Sequence, residues 1–141
     1  MKNYVCNLAV VTGLAALFGS SVILAQHESR ETANVPFAFH ASSTTLPAGK
    51  YAVALNNSLG FVQISDTVTG HSIMVATRGR ESGKNDTPRL TFHRYGNEYF
   101  LSQIWMPGQT DGYSLGKSAR EKEMAKQPGQ IVLASIRLAG K

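Results

Sequence analysis

The chain has 141 residues, a formal net charge of +5, 43% hydrophobic and 16% charged residues, and one cysteine. Those values fit one ordinary globular domain and exclude most multidomain enzymes. The basic excess is small and scattered through Arg78, Arg80, Arg89, Arg94, Lys117, Arg120, Lys122 and Lys126 with acids among them, so no continuous stripe tracks a phosphate backbone and nucleic acid is not expected as a partner.

The chain opens on an export pattern. Lys2 precedes an apolar run from Leu8 to Phe18, followed by the small residues Gly19, Ser20 and Ser21, with Ala25 just before the polar run Gln26 to Arg30. That is the charged, apolar, small-residue order of a secretory signal, predicting a leader over 1–25. Ile23 stands at the third position before that cut, where a small residue is commoner, so the bond itself stays open. An uncleaved anchor fits less well, because the 18 residues from Leu8 to Ala25 are interrupted by Thr12, Gly13, Gly19, Ser20 and Ser21, whereas a spanning helix wants about 20 mostly apolar residues. Cys6 lies before the apolar run rather than after it, which excludes a lipid-modified cysteine. Cleavage removes that cysteine, so the mature chain forms no disulfide and no thiolate metal site. Loss of Lys2 lowers the formal charge from +5 to +4.

Residues 26–34 read as a flexible lead-in, and 35–141 as one β-rich domain. Apolar residues then recur with period two at Val35, Phe37 and Phe39; at Tyr51, Val53 and Leu55; at Val62 and Ile64; and at Ile73 and Val75, which predicts half-buried strands. Leu46-Pro47-Ala48-Gly49 suits a type I turn, and Asp66 to Gly70 a loop. Gly79 to Pro88 holds Glu81, Ser82, Gly83, Lys84, Asn85 and Asp86 without a large apolar side chain, and reads as a mobile exposed loop.

The strongest local signal is a hairpin, Arg89 to Tyr95 and Glu98 to Met106 joined by Gly96-Asn97, a pair that supplies positive φ for a primed turn. An unbroken ladder sets Arg94 opposite Tyr99, Phe92 opposite Leu101 and Leu90 opposite Gln103, placing Leu90, Phe92, Tyr99, Leu101 and Trp105 on one core face. The other face carries Thr91, His93, Glu98 and Ser102, and also Phe100, Ile104 and Met106, more apolar than a water-facing sheet needs. Those three form a candidate interaction surface, whose cover is the helix near Ser118 to Gln127, the terminal strand Ile131 to Leu138, or a partner or ligand from outside; the terminal strand is the cover expected. Ser118 followed three residues later by Glu121 has capping-box spacing, and Pro128-Gly129 ends the helix it starts, predicted over Ser118 to Gln127 with only Ala119, Met124 and Ala125 to bury. Ile131 to Leu138 alternates again and returns as a final strand. The fold class expected is all-β, mainly antiparallel, a β-sandwich or small barrel with one short C-terminal helix and a final strand.

The chemical motifs lack their required settings. Gly112-Tyr113-Ser114-Leu115-Gly116 matches the G-x-S-x-G of a hydrolase elbow, but Pro107 to Asp111 before it is turn-rich and His93 is the last histidine, so it reads as a connection entering the helix. His27, His40, His71 and His93 lack zinc spacing, and Gly79, Gly83 and Lys84 lack the spacing and the hydroxyl of a phosphate loop. No catalytic residue, metal or cofactor is therefore expected, and the protein is not expected to be an enzyme. Arg94 beside Tyr99, with Trp105 further along that face, forms a candidate ligand site of cation–π type at the polar end of a hydrophobic pocket.

Five segments together resemble a group of short secreted bacterial proteins without an assigned function: Pro36-x-x-Phe39; Leu46-Pro47-Ala48-Gly49-x-Tyr51-x-Val53; Leu90-x-Phe92-His93-Arg94-Tyr95-Gly96; Tyr99-Phe100-Leu101-Ser102-x-Ile104-Trp105; and Arg120-Glu121-x-Glu123-x-Ala125. The resemblance spans nearly the whole mature chain and implies a shared fold and export, with no activity to transfer. Two functions are compatible with the sequence: a secreted, non-enzymatic binding or structural module of the envelope, with a protein partner or a second copy, or a carrier of a small hydrophobic ligand in the fold's interior. Either works in the periplasm or outside the cell, without a stable transmembrane anchor once the signal is cleaved.

Overall fold

A computed structural model describes residues 30–83 and 87–140. The predicted leader, with Cys6, and His27 lie outside the described residues, as do 84–86 of the predicted loop. The elements run β1 (Arg30–Val35), β2 (Phe39–Ala41), β3 (Thr44–Leu46), β4 (Gly49–Asn56), β5 (Phe61–Asp66), β6 (Ser72–Ser82), β7 (Arg89–Tyr95), β8 (Glu98–Trp105), β9 (Asp111–Leu115), α1 (Ala119–Met124), β10 (Val132–Arg137) and β11 (Ala139–Gly140).

All eleven strands belong to one sheet, ordered β10-β7-β8-β9-β6-β5-β4-β1-β11, with β2 pairing β3 and lying parallel to β8. The remaining pairs are antiparallel and the ladder is not closed. One continuous segment nevertheless holds both ends: β10 pairs with β7, β11 pairs with β1, and only Leu138 separates them. The sheet therefore curls around one core, in which Val53, Val62 and Ile64 from one half meet Phe92, Leu101 and Ile104 from the other. β6 makes the bend. Its first five residues pair with β5, its last part pairs with β9, and the register shifts between Thr77 and Gly79. Such a shift kinks a strand and increases its local twist.

Four expectations are corrected. Residues 30–34, expected as a lead-in, belong to β1, paired along their length with β4 and at Glu31 and Thr32 with β11, with Ala33 and Val35 facing the core. Gly79 to Ser82 extends β6 instead of starting a loop. Gly112 to Leu115 is strand, with Tyr113 and Leu115 buried and the bare Gly112 lying under Trp105. The helix is shorter than predicted, Ala119–Met124.

The hairpin turn has the primed form, with Gly96 at φ +59° and Tyr95 opposite Glu98. Its register holds for Arg94–Tyr99 and Phe92–Leu101 and then slips: Thr91 faces Gln103 and Leu90 faces Ile104. Ser102 is the extra residue, and its hydroxyl donates to the Thr91 carbonyl at 2.9 Å. A one-residue slip exchanges the two faces of a strand beyond it. Ile104 consequently turns inward beside Leu90, whereas Trp105 turns outward beside Arg89.

Candidate functional site

The outer face of β7 and β8 carries the densest polar chemistry among the described residues, and α1 creates it. Ser118 caps the helix by accepting from the Glu121 amide at 3.1 Å, as the sequence spacing predicts. The Glu121 side chain then enters the sheet, where it accepts from His93 Nδ1 at 2.8 Å and from the Tyr95 hydroxyl at 3.4 Å. Glu121 is only 3% exposed, whereas Ala119 and Ala125 are exposed and Met124 half-buried, so this helix buries its acid and not its apolar residues. Burial, together with the Glu121 carboxylate, raises the Tyr95 phenol above its ordinary pKa. One residue earlier, Arg120 makes a two-point contact to Glu98, with Nη2 at 2.6 Å from Oε1 and Nε at 3.2 Å from Oε2. His40 from β2 lies 3.3 Å from the same Glu98 carboxylate. The Arg120 contact holds Glu98 below the usual carboxylate range.

Phe100 is covered in this way: His40 stacks on it at 4.5 Å and Tyr95 meets it edge-on at 5.7 Å. The expected interaction surface is thereby corrected. Phe100, Ile104 and Met106 are all buried, Phe100 under β2 and Tyr95, Ile104 and Met106 inside the core because of the Ser102 slip. The C-terminal strand covers none of that face; it pairs edge-on with β7.

The candidate ligand trio does not assemble. Arg94 and Tyr99 do meet, the guanidinium 5.4 Å from the ring centroid, but Arg94 Nε is bonded to the Gly96 carbonyl at 2.8 Å and Tyr99 is stacked on Phe37 at 3.7 Å. Trp105 lies on the opposite face, beneath Arg89 at 4.5 Å. Its indole fills a slot that two glycines leave open, since a Cβ at Gly83 or Gly112 would lie 2.4 or 2.5 Å from the ring. The register slip that separates Trp105 from Tyr99 leaves no mark in the hydrophobic pattern, so the sequence could not reveal it.

Ser114 borders a groove of about 250 Å³ with His93, Ser102, Gln103, Lys117 and Glu121. Ser114 pairs with Gln103, which pairs with Thr91, two positions from His93 along β7. The hydrogen-bond partner of the His93 imidazole is Glu121 and not Ser114. No group of three or more potential metal ligands occurs among the described residues.

A different surface stands uncovered. β10 ends the strand order, and the consecutive residues Ile131, Val132 and Leu133 are 48%, 51% and 66% exposed. Among the described residues no helix is long and apolar enough to cross a membrane. Comparison with protein-family models, with curated proteins and with solved structures finds no match for the chain.

Proposed function

We propose that the protein is an exported, non-enzymatic binding or structural module of the cell envelope, and that its contact surface is the free edge of β10. The observation that carries this reading is the uncovered run Ile131-Val132-Leu133, which leads into and opens β10 at the end of the strand order. An edge strand presents unpaired backbone N–H and C=O groups and templates the addition of another strand unless charge, proline or a bulge blunts it. Between Pro128 and Arg137 this edge has no charged residue and no proline. An extended segment of a partner protein, apolar at alternate positions, fits such an edge. Export is supported by the leader pattern of residues 1–25 and by the resemblance to short secreted bacterial proteins.

The carrier reading gains less. Tyr51, Phe39, Phe92, Ile64 and Leu90 fill the interior almost without exposure, and the aromatics expected at a ligand mouth are engaged by Phe37, Arg89 and the glycine slot.

Sedimentation of the mature protein with envelope preparations tests the binding reading. Binding that is lost in Leu133→Lys with an unchanged unfolding midpoint supports it; a protein that stays in the supernatant overturns it. Intact-mass measurement after secretion tests export, with a mature start at or near Gln26 expected.

A further inference from the structure

Near the turn between β4 and β5, three large apolar side chains stand clear of the described residues: Leu59, Phe61 and Met74 are 64%, 38% and 65% exposed. Register sets two of them together. Phe61 faces Ala76 and Gln63 faces Met74, which makes Phe61 and Met74 diagonal neighbours about 7–8 Å apart on one face. That face is the outer one, because the residues alternating with them, Val62, Ile73 and Val75, belong to the core or pack against it. Ala54 and Ala76, the outward residues beside them, are too short to cover either side chain.

Leu59 stands on a braced turn. The Asn56 carbonyl accepts from the Gly60 amide at 3.0 Å and its side chain from the Leu59 amide at 3.2 Å, while Thr77 donates to the Gly60 carbonyl through its amide and its hydroxyl, at 2.9 and 3.0 Å. Single exposed apolar side chains are ordinary, but a cluster of them marks an interaction site.

Charge says what meets it. Arg30 lies on the β1 side, in the cross-strand row Arg30, Ala54, Gln63, Met74; Arg78 lies on the β9 side, beyond Ala76 and along Gly116. The two arginines are exposed and flank the apolar cluster from opposite sides. Among the described residues the ion pairs are His40–Glu98, His93–Glu121 and Arg120–Glu98, so neither Arg30 nor Arg78 has an acidic partner there. Acids on the same strands are placed elsewhere: Glu31 turns inward and is buried, Glu81 is held by the Gln103 side-chain amide, and Asp66 ends β5 about 17 Å along the strand from Phe61. A second copy of this face would set arginine against arginine. An anionic lipid surface offers negative charge with an apolar layer beneath it.

We propose that this face docks on an anionic phospholipid surface, with Leu59, Phe61 and Met74 entering the interface and Arg30 and Arg78 meeting the phosphate headgroups. The contact uses no residue of β10, so it stands or falls independently of the edge-strand reading.

The test is flotation of the mature protein with protein-free phosphatidylcholine vesicles, with and without phosphatidylglycerol. Flotation is expected only with phosphatidylglycerol and should fade at high salt, because salt screens the arginines. Met74→Ser should weaken partitioning about tenfold, the loss expected for one apolar side chain returned to water. Arg30→Gln and Arg78→Gln should each weaken it about fivefold, the share of one cation at a charged surface. All these side chains are exposed, so the unfolding midpoint should stay unchanged in each variant. Leu133→Lys should float like the unaltered protein, and envelope sedimentation at high salt then reports on the β10 edge alone. Absence of flotation with phosphatidylglycerol vesicles overturns the proposal, as does flotation that Leu133→Lys abolishes. Flotation undiminished in the Leu59→Ser/Met74→Ser double variant overturns it too, since charge attraction alone is the behaviour of a face made for a soluble acidic polymer.

Discussion

The two faces of the β7–β8 hairpin are closed by different physics. Inward, Leu90, Phe92, Leu101 and Ile104 pack against residues from strands far apart in sequence, all of them 3% exposed or less. Outward, a six-residue helix lies over His93 and Tyr95 and is held by one buried carboxylate and one surface ion pair. A helix that short is marginal alone, and this one has no apolar stripe to compensate. Apolar burial is non-directional and tolerates a register slip, whereas the outer face depends on particular atoms meeting. The inner face therefore carries stability, and the outer face carries positional specificity.

Deleting residues from Gln130 onward should break that division most severely. The deletion removes the strands at both ends of the sheet together with buried Leu138, and the expected loss is comparable with the whole stability of a small domain, about 5–15 kcal/mol. Calorimetry should show no cooperative transition; an unchanged midpoint would mean that the sheet ends do not need this segment. Phe92→Ala, at the inner face, should cost about 3–5 kcal/mol in denaturant unfolding while leaving the α1 contacts in place. Glu121→Gln, at the outer face, should cost about 1–3 kcal/mol, with faster hydrogen exchange in α1 and little change in the core strands. Equal exchange throughout the molecule would show that the two faces unfold as one unit.

Glu98→Gln sharpens the comparison through pH. The Arg120 contact lowers the folded-state pKa of Glu98, so its stabilisation is present above the ordinary glutamate pKa and is lost as pH falls through the lowered folded value. The variant should be less stable at neutral pH by no more than about 1 kcal/mol, and should show a flatter acid limb. Tyr95 acts at the other extreme: its raised pKa gives stability that is present below the ordinary phenol value and lost as pH rises through the folded value. Smallest of all, Ser114→Ala should change stability by within about 0.5 kcal/mol and leave every binding measurement as it was.

Much of this architecture was legible locally. Strict alternation at Tyr51, Val53 and Leu55 or at Val62 and Ile64 announces a strand wherever it occurs, because side chains on a strand alternate between faces. Gly96-Asn97 fixed its own turn, and Ser118 with Glu121 fixed the start of α1, since both rest on bonds within a few residues. Gly112 to Leu115 does not read as a strand for the converse reason: glycine weakens a strand locally, and only the indole of Trp105 lying against Gly112 explains why a strand passes there.

The tertiary structure alone decided which face each residue of β8 occupies beyond Ser102. The slip adds one residue without altering the hydrophobic pattern, yet it sends Ile104 into the core and Trp105 to the glycine slot, separating Trp105 from the Arg94–Tyr99 pair. It also decided that Glu121 is buried, because a carboxylate becomes an interior group only where His93 and Tyr95, 28 and 26 residues away, supply its hydrogen bonds. Alternation and turn chemistry are short-range properties written in consecutive residues. Sheet order, bulge position and the partner of a buried charge depend on segments that meet only when the whole sheet has curled.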